Sequence, residues 1–169
     1  MGFFENFYPD EYVRSTYEID FESLYDQGYR GVIFDVDNTL VPHDAPADDR
    51  ARELFKRLHD IGFKALLLSN NKEPRVKHFA EDVKYASYIF KANKPSRSGY
   101  FAAMKKMGTN SGTTLFVGDQ LFTDVWGAHR AGIRNILVHP INPKEEIQIV
   151  LKRRLEAVVL KRYFSHNSK

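Results

Sequence analysis

Gly31-Val32-Ile33-Phe34-Asp35-Val36-Asp37-Asn38-Thr39-Leu40 decides how this chain reads. Its first four residues are a short apolar run, the pattern of a buried strand. Asp35 and Asp37 follow at the end of that run. Strand side chains alternate with period two, so the two carboxylates point the same way while the backbone stays extended. A buried sheet gains nothing from two neighbouring negative charges, which repel each other and resist leaving water. Such a pair persists with a cation, a proton or a chemical task. Taken alone, the stretch also reads as an acidic loop at a strand end.

Further along, the same arrangement recurs. Phe63-Lys64-Ala65-Leu66-Leu67-Leu68 is strand-like and ends in Ser69-Asn70-Asn71. Lys94 follows the apolar triplet Tyr88-Ile89-Phe90, and Thr114-Leu115-Phe116-Val117 runs into Gly118-Asp119 with Asp124 close behind. The order is carboxylate pair, hydroxyl, lysine, carboxylate pair. Open parallel sheets bind ligands at the carboxyl ends of their strands. Groups distant in sequence can therefore meet there.

Helical segments alternate with these strands. Asp20 can cap a short helix over 21–27, with Gly28 as its stop. Ala51, Leu54, Phe55, Leu58 and Ile61 recur at helical spacing before Gly62. Pro74 suits a helix start, and Val76, Phe79, Ala80 and Val83 supply its buried face. Another helix is expected from about Ser96 to Met107, stopped by Gly108. A fourth follows Asp119, with Val125, Ala128 and Ala131 inward and Gly132 at its end. Arg134-Asn135-Ile136-Leu137-Val138 is the last strand, with Pro140 and Pro143 after it. Strand-helix alternation predicts an α/β protein, a parallel sheet with helices on both faces.

With these residues in place, the chain resembles the haloacid dehalogenase superfamily of phosphatases. The first family motif, DxDxT, matches Asp35, Asp37 and Thr39. The second, a Ser or Thr after a strand, matches Ser69. The third is Lys94, and the fourth, GDxxxxD, matches Asp119 and Asp124. The resemblance spans roughly 30–138 and implies a three-layer, Rossmann-like fold. Large caps in that superfamily sit between the first and second motifs or between the second and third. Here those gaps are 34 and 25 residues, room for a helix and a strand and for no large cap domain. The chain thus resembles the capless subclass IIIA, and a single domain over 1–169 is expected.

The resemblance implies an Mg²⁺-dependent phosphomonoester hydrolase. Asp35 would attack phosphorus to form an aspartyl-phosphate. Asp37 would protonate the leaving oxygen and then activate water. Asp35, Asp119 and the Asp37 backbone carbonyl would hold Mg²⁺, a hard cation suited to oxygen ligands. Ser69 and the Asn70 amide would bind a phosphoryl oxygen, Lys94 would offset its charge, and Asp124 would orient Lys94 or a water at the metal. Asn38 and Thr39 would shape the turn. His43 and His129 are expected at the surface, since no histidine pair has metal-ligand spacing.

Composition narrows the setting. The chain has 169 residues, enough for a real core, and no cysteine, which excludes disulfides, thiolate metal sites and a Cys nucleophile. No apolar run approaches the ~18 residues of a membrane span. The N-terminus lacks a basic region followed by an apolar core, and Asn6 counts against myristoylation. A cytoplasmic protein is expected.

The net charge of +3 is local. From 143 to 169 there are seven Lys or Arg against three Glu, a net +4, and the rest of the chain carries −1. Ile147, Val150, Leu151, Leu155, Val158 and Val159 would make one apolar face of a helix over 143–163, with Lys152, Arg153, Arg154, Lys161 and Arg162 largely around it. Such a helix either packs on the domain or lies in an anionic membrane interface, at the inner face of the membrane. Phe3, Phe4, Phe7 and Tyr8 either anchor at that interface or plug an edge of the core. No groove-reading or base-stacking motif supports specific nucleic-acid binding. Oligomeric state is not legible.

A closer likeness rests on Phe7-Tyr8-Pro9-Asp10-Glu11-Tyr12-Val13, the motif at Asp35 and Ser69-Asn70-Asn71. These resemble the YqeG-type branch, itself similar to mitochondrial phosphatidylglycerophosphate phosphatases. The implied reaction converts phosphatidylglycerophosphate to phosphatidylglycerol, with a lipid head group in the site. Two other readings stay open. One is a phosphatase of a soluble sugar or nucleotide monophosphate, with a lid from a neighbouring subunit. The other is a non-catalytic scaffold for protein or RNA.

Overall fold

The computed structural model describes residues 2–142 and 147–168, and only the backbone of 147–150. Six parallel strands form one sheet: β1 (Glu11–Val13), β2 (Gly31–Phe34), β3 (Lys64–Leu68), β4 (Ala86–Ile89), β5 (Thr114–Gly118) and β6 (Arg134–Val138). Their spatial order is β1-β6-β5-β2-β3-β4, which puts β2 at the centre, between β5 and β3.

Alternation along β2 sorts the two sides. Val32 and Phe34 face one layer with Phe21 of α1 (Phe21–Asp26), Phe55 and Leu58 of α2 (Asp49–Ile61), and Val76 and Phe79 of α3 (Glu73–Val83). Ile33 faces the other, with Tyr100 and Met104 of α4 (Arg97–Met107) and Ala128 of α5 (Trp126–Arg130). This is the expected three-layer α/β arrangement. Each fully buried large side chain contributes about 1.5–3 kcal/mol, so both layers hold the sheet.

Local chemistry sets the helix ends. Asp20 accepts from Ser23 N at 3.0 Å and Asp48 from Ala51 N at 2.9 Å, two N-caps. Gly62 closes α2 at φ 119°, a left-handed conformation that costs side chains energy. The helix expected after Asp119 begins differently: Leu121–Val125 is a π-helical turn, and regular α-helix starts at Trp126.

β1 was not expected. It is a short, half-buried edge strand without an apolar pattern. Asp10 and Asn135 pin it to β6: Asn135 N and Nδ2 donate to Asp10 Oδ2 at 2.9 and 3.0 Å, and Asp10 N donates to Asn135 Oδ1 at 3.2 Å.

Both ends of the described chain pack on this side. Phe7 is buried against Phe122 and Trp126, ring centroids 5.1 and 5.5 Å away, while Phe3 stays exposed. The aromatic N-terminus therefore fills a core edge over most of its length. The last helix, α6 (Ile147–Asn167), buries Glu156 and Val159 and leaves Leu151, Leu155 and Val158 exposed. That corrects the expectation of one apolar face. The face toward the domain carries Arg153, Glu156 and Val159, because polar groups of the fourth motif wait there for partners. The side chains of Ile147 and Val150, and the expected helix start at Pro143, lie outside the described residues. Among the described residues, no helix is long and apolar enough to cross a membrane.

Candidate active site

Asp35 stands one residue past β2. Its N–H donates to Val117 O at 3.0 Å, so the strand pairing continues to this point. The chain then turns through Asn38, at φ 61°, whose N–H donates to Val41 O at 2.7 Å. Asn38 and Thr39 shape this turn as expected. Thr39 does more, since its Oγ1 donates to Asp119 Oδ1 at 3.2 Å.

Lys94 reaches the centre from the loop after β4. Its Nζ donates to Asp35 Oδ1 at 2.9 Å and Asp124 Oδ1 at 2.7 Å, and its side chain is 4 % exposed. Burial alone would lower its pKa, but the two carboxylates outweigh that and hold it above the ordinary lysine value. Asn70 clasps the lysine backbone, accepting from Lys94 N at 2.7 Å and donating to Lys94 O at 3.2 Å. Ser69 is buried beside it, and its Oγ accepts from Asn71 N at 3.1 Å.

The fourth motif folds back on itself. Asp124 Oδ2 accepts from Gln120 N at 3.1 Å, and Tyr100 Oη donates to Thr123 O at 3.0 Å from α4. A Cβ at Gly118 would lie 2.6 Å from Asp124 Oδ2. The motif's glycine makes that approach possible.

Three residues that sequence reasoning missed hold the expected ones. Asn71 Nδ2 donates to Asp37 Oδ2 at 2.6 Å, and Arg75 Nη2 of α3 donates to Asp37 Oδ1 at 2.9 Å. Arg153 of α6 donates from Nη2 to Asp119 Oδ2 at 2.6 Å and from Nη1 to Asp119 O and Glu156 Oε2, both at 2.9 Å. Glu156 Oε1 in turn accepts from Leu121 N at 3.1 Å. The helix read as a basic rim thus grips the fourth motif. One signal was available: Glu156 is the sole acid among 151–163 and stands three residues after an arginine. Lys152 Nζ donates to Gln120 Oε1 at 3.0 Å. Lys152 and Arg153 do not ring an apolar face; they turn into the site.

Asp35, Asp37, Ser69, Asn70, Lys94 and Lys152 line one cavity of about 270 Å³. His43 lines it too, half-buried, with its Nε2 3.2 Å from Asp44 Oδ2. That corrects its expected surface position, since the chain after the first motif folds over the opening. His129 is exposed as expected, its Nε2 2.6 Å from Tyr8 O. Asp119 is buried behind the cavity with Asp124.

A metal fits this donor set. Carboxylate oxygens of Asp35, Asp119 and Asp124 lie within 4.8 Å of one another. Burial first, then the neighbouring carboxylates, pushes Asp35 and Asp119 above the usual carboxylate range, against the pull of Lys94 on Asp35 and Arg153 on Asp119. Asp35, Asp119, Asp124 and Glu156 share only Lys94 and Arg153 as ion-pair partners, among the described residues. Asp37 is matched by Arg75. Four carboxylates thus share two paired cations, a surplus of negative charge that a bound cation would offset.

A family model described as haloacid dehalogenase-like hydrolase matches residues 42–132. The chain is also 37 % identical over 155 residues to the probable phosphatase YqeG of Bacillus subtilis, covering 91 % of this chain and 90 % of that one. The chain belongs to the haloacid dehalogenase-like hydrolases. It is a phosphatase of that family, which sets aside the scaffold reading. Phosphatidylglycerophosphate phosphatase 1 of Arabidopsis thaliana is 30 % identical over 168 residues, covering 92 % of this chain and 47 % of that protein. Among solved structures, the cobalt-bound deoxy-D-mannose-octulosonate 8-phosphate phosphatase of Haemophilus influenzae has a TM-score of 0.55 at 16 % identity, over 81 % of this chain and 90 % of its own. That likeness concerns the fold.

Proposed function

We propose that this phosphatase hydrolyses phosphomonoesters through an aspartyl-phosphate on Asp35, and that its substrate is a lipid head group, phosphatidylglycerophosphate. The observation that carries the mechanism is the cavity itself, where Asp35 and Asp37 face Ser69 and Lys94. Asp35 attacks phosphorus, and the leaving oxygen takes a proton from Asp37. In the second half Asp37 withdraws a proton from the water that cleaves the intermediate. Arg75 and the Asp44 N–H both donate to Asp37 Oδ1, while Oδ2 accepts from Asn71 alone and keeps a second lone pair for the transferring proton. Ser69 and the Asn70 amide bind phosphoryl oxygens, and Lys94 offsets their charge as it grows. Asp35, Asp119 and the Asp37 carbonyl would hold Mg²⁺, which supplies positive charge at the phosphoryl group when bound. Asp124 keeps Lys94 in place at 2.7 Å.

Two observations support a lipid head group. Pockets that enclose drug-sized ligands run to roughly 300–1,000 Å³. A cavity of about 270 Å³ is of head-group size and leaves the acyl chains of a lipid outside. Beside it, α6 exposes Leu151, Leu155 and Val158, with Arg154 and Lys161 exposed on the same helix. Apolar side chains interleaved with cations suit an anionic bilayer. The chain then works as one domain, peripheral to the inner face of a membrane, from the cytoplasmic side.

The test is phosphate release with Mg²⁺ from phosphatidylglycerophosphate in mixed micelles, compared with soluble sugar and nucleotide monophosphates. Preference for the lipid supports the reading. Faster turnover of a soluble ester, unchanged by micelles, would refute the lipid substrate. Asp35→Asn should lower kcat by about three orders of magnitude or more without unfolding the protein. A variant that kept most of the wild-type rate would exclude the aspartyl-phosphate.

A further inference from the structure

Among the described residues, every cation around the cavity but one has a carboxylate partner. Lys94 holds Asp35 and Asp124, Arg75 holds Asp37, and Arg153 holds Asp119 and Glu156. His43 sits against Asp44. Lys152 lines the same cavity, and its Nζ donates only to the neutral Gln120 Oε1 at 3.0 Å, among the described residues. Thr123 Oγ1 donates to the same oxygen at 3.0 Å, which fixes the amide that holds the lysine. A half-buried ammonium with one neutral acceptor keeps two donors for a ligand.

In the proposed mechanism the transferring phosphate meets Ser69, the Asn70 amide and Lys94, from the loops after β3 and β4, and leaves Lys152, which enters from α6, without a role. Arg153 and Glu156 anchor α6 to Asp119 and Leu121, so the position of Lys152 is fixed by the same contacts that hold the fourth motif. From this placement we infer that Lys152 is a specificity-determining residue, which binds a second anionic group of the substrate beside the phosphomonoester. The ligand class is a phosphomonoester carrying a further phosphodiester or carboxylate. With no cap domain among the described residues, α6 thereby supplies the substrate-selecting side chain. The inference rests on the phosphatase reading and narrows it; it does not require a membrane.

The experiment uses two soluble esters with Mg²⁺: glycerol 3-phosphate, with one phosphate, and deacylated phosphatidylglycerophosphate, with a phosphodiester beside its monoester. Wild type should favour the second through a lower KM, and added salt should erode that preference. Lys152→Gln should lower the ratio of the two kcat/KM values about tenfold, the loss of one charge-assisted hydrogen bond, through KM rather than kcat. Lys152→Arg, which keeps the charge, should retain most of the ratio. No preference in the wild type, or a ratio unchanged in Lys152→Gln, would overturn the inference while leaving the phosphatase reading intact. Failure of wild type to hydrolyse either ester, while it still releases phosphate from phosphatidylglycerophosphate in mixed micelles, would overturn the inference and leave the phosphatase reading standing. The wild-type comparison can overturn the inference without any variant, and where Lys152→Gln folds poorly the loss of preference is read in Lys152→Met instead.

Discussion

Arg75 donates to Asp37 at 2.9 Å, and removing it tests what Asp37 does. Arg75→Ala leaves Asn71 and the Asp44 N–H as partners, so kcat should fall about ten- to a hundredfold, less than in Asp37→Asn. If Arg75 acts through Asp37, adding Arg75→Ala to Asp37→Asn costs little more. Additive losses in the double variant would show a separate role for the guanidinium. Gly118 gives a second test at this scale. A Cβ there meets Asp124 Oδ2 at 2.6 Å, and Asp124 positions Lys94. Gly118→Ala should cost about 1–3 kcal/mol of stability through overpacking. Displacing Lys94 by ~1 Å should slow turnover by about two orders of magnitude. Kinetics close to wild type would mean that the loop absorbs the methyl group without moving Asp124.

The decisive element is α6, which serves the site on one face and solvent on another. Burial raises the Glu156 pKa, opposed by Arg153, so the carboxylate depends on its partners. Glu156→Ala leaves Leu121 N without its acceptor and Arg153 with Asp119 alone. The pair is only partly buried, so the expected cost is about 2–3 kcal/mol, below the range for deeply buried pairs. Glu156→Gln keeps an acceptor and should cost less; denaturant midpoints would decide. On the outer face, Arg154, Lys161 and Arg162 are the charges to reverse, since Lys152 and Arg153 face the site. Each near an anionic surface contributes about 1 kcal/mol. The triple Glu variant should lose binding to anionic vesicles, as wild type should in high salt. Vesicle binding equal to that of wild type would leave the outer face as ordinary surface.

At the scale of the molecule, the charge deficit of the site links metal, pH and stability. Asp35 and Asp119 are raised by burial and by neighbouring carboxylates. A carboxyl raised on folding favours the folded state below its unfolded pKa, and that contribution is lost as pH rises through its folded pKa. Mg²⁺ requires the ionised form and offsets the loss. Mg²⁺ should therefore raise the melting temperature more at about pH 8 than at about pH 5. Equal shifts at both would mean that these carboxylates do not bind the ion.

The strand ends and their order were legible in the sequence, because buried strands need apolar runs and a carboxylate pair at such an end has little structural use. Asp35 and Asp119 stood out on that basis, Ser69 and Lys94 were named by the resemblance to the family motifs, and the helices closed at Gly62, Gly108 and Gly132 by periodicity and their glycine stops. Only the tertiary structure decided which distant groups answer those charges. Arg75 and Arg153 lie 38 and 34 residues from the carboxylates they hold, and β1 is held 125 residues away by Asn135. Periodicity reports which face of a helix is apolar. It does not report which polar residues a buried charge will recruit, and at α6 the demand of Asp119 and Leu121 for partners turned Arg153 and Glu156 inward and left Leu151, Leu155 and Val158 in solvent.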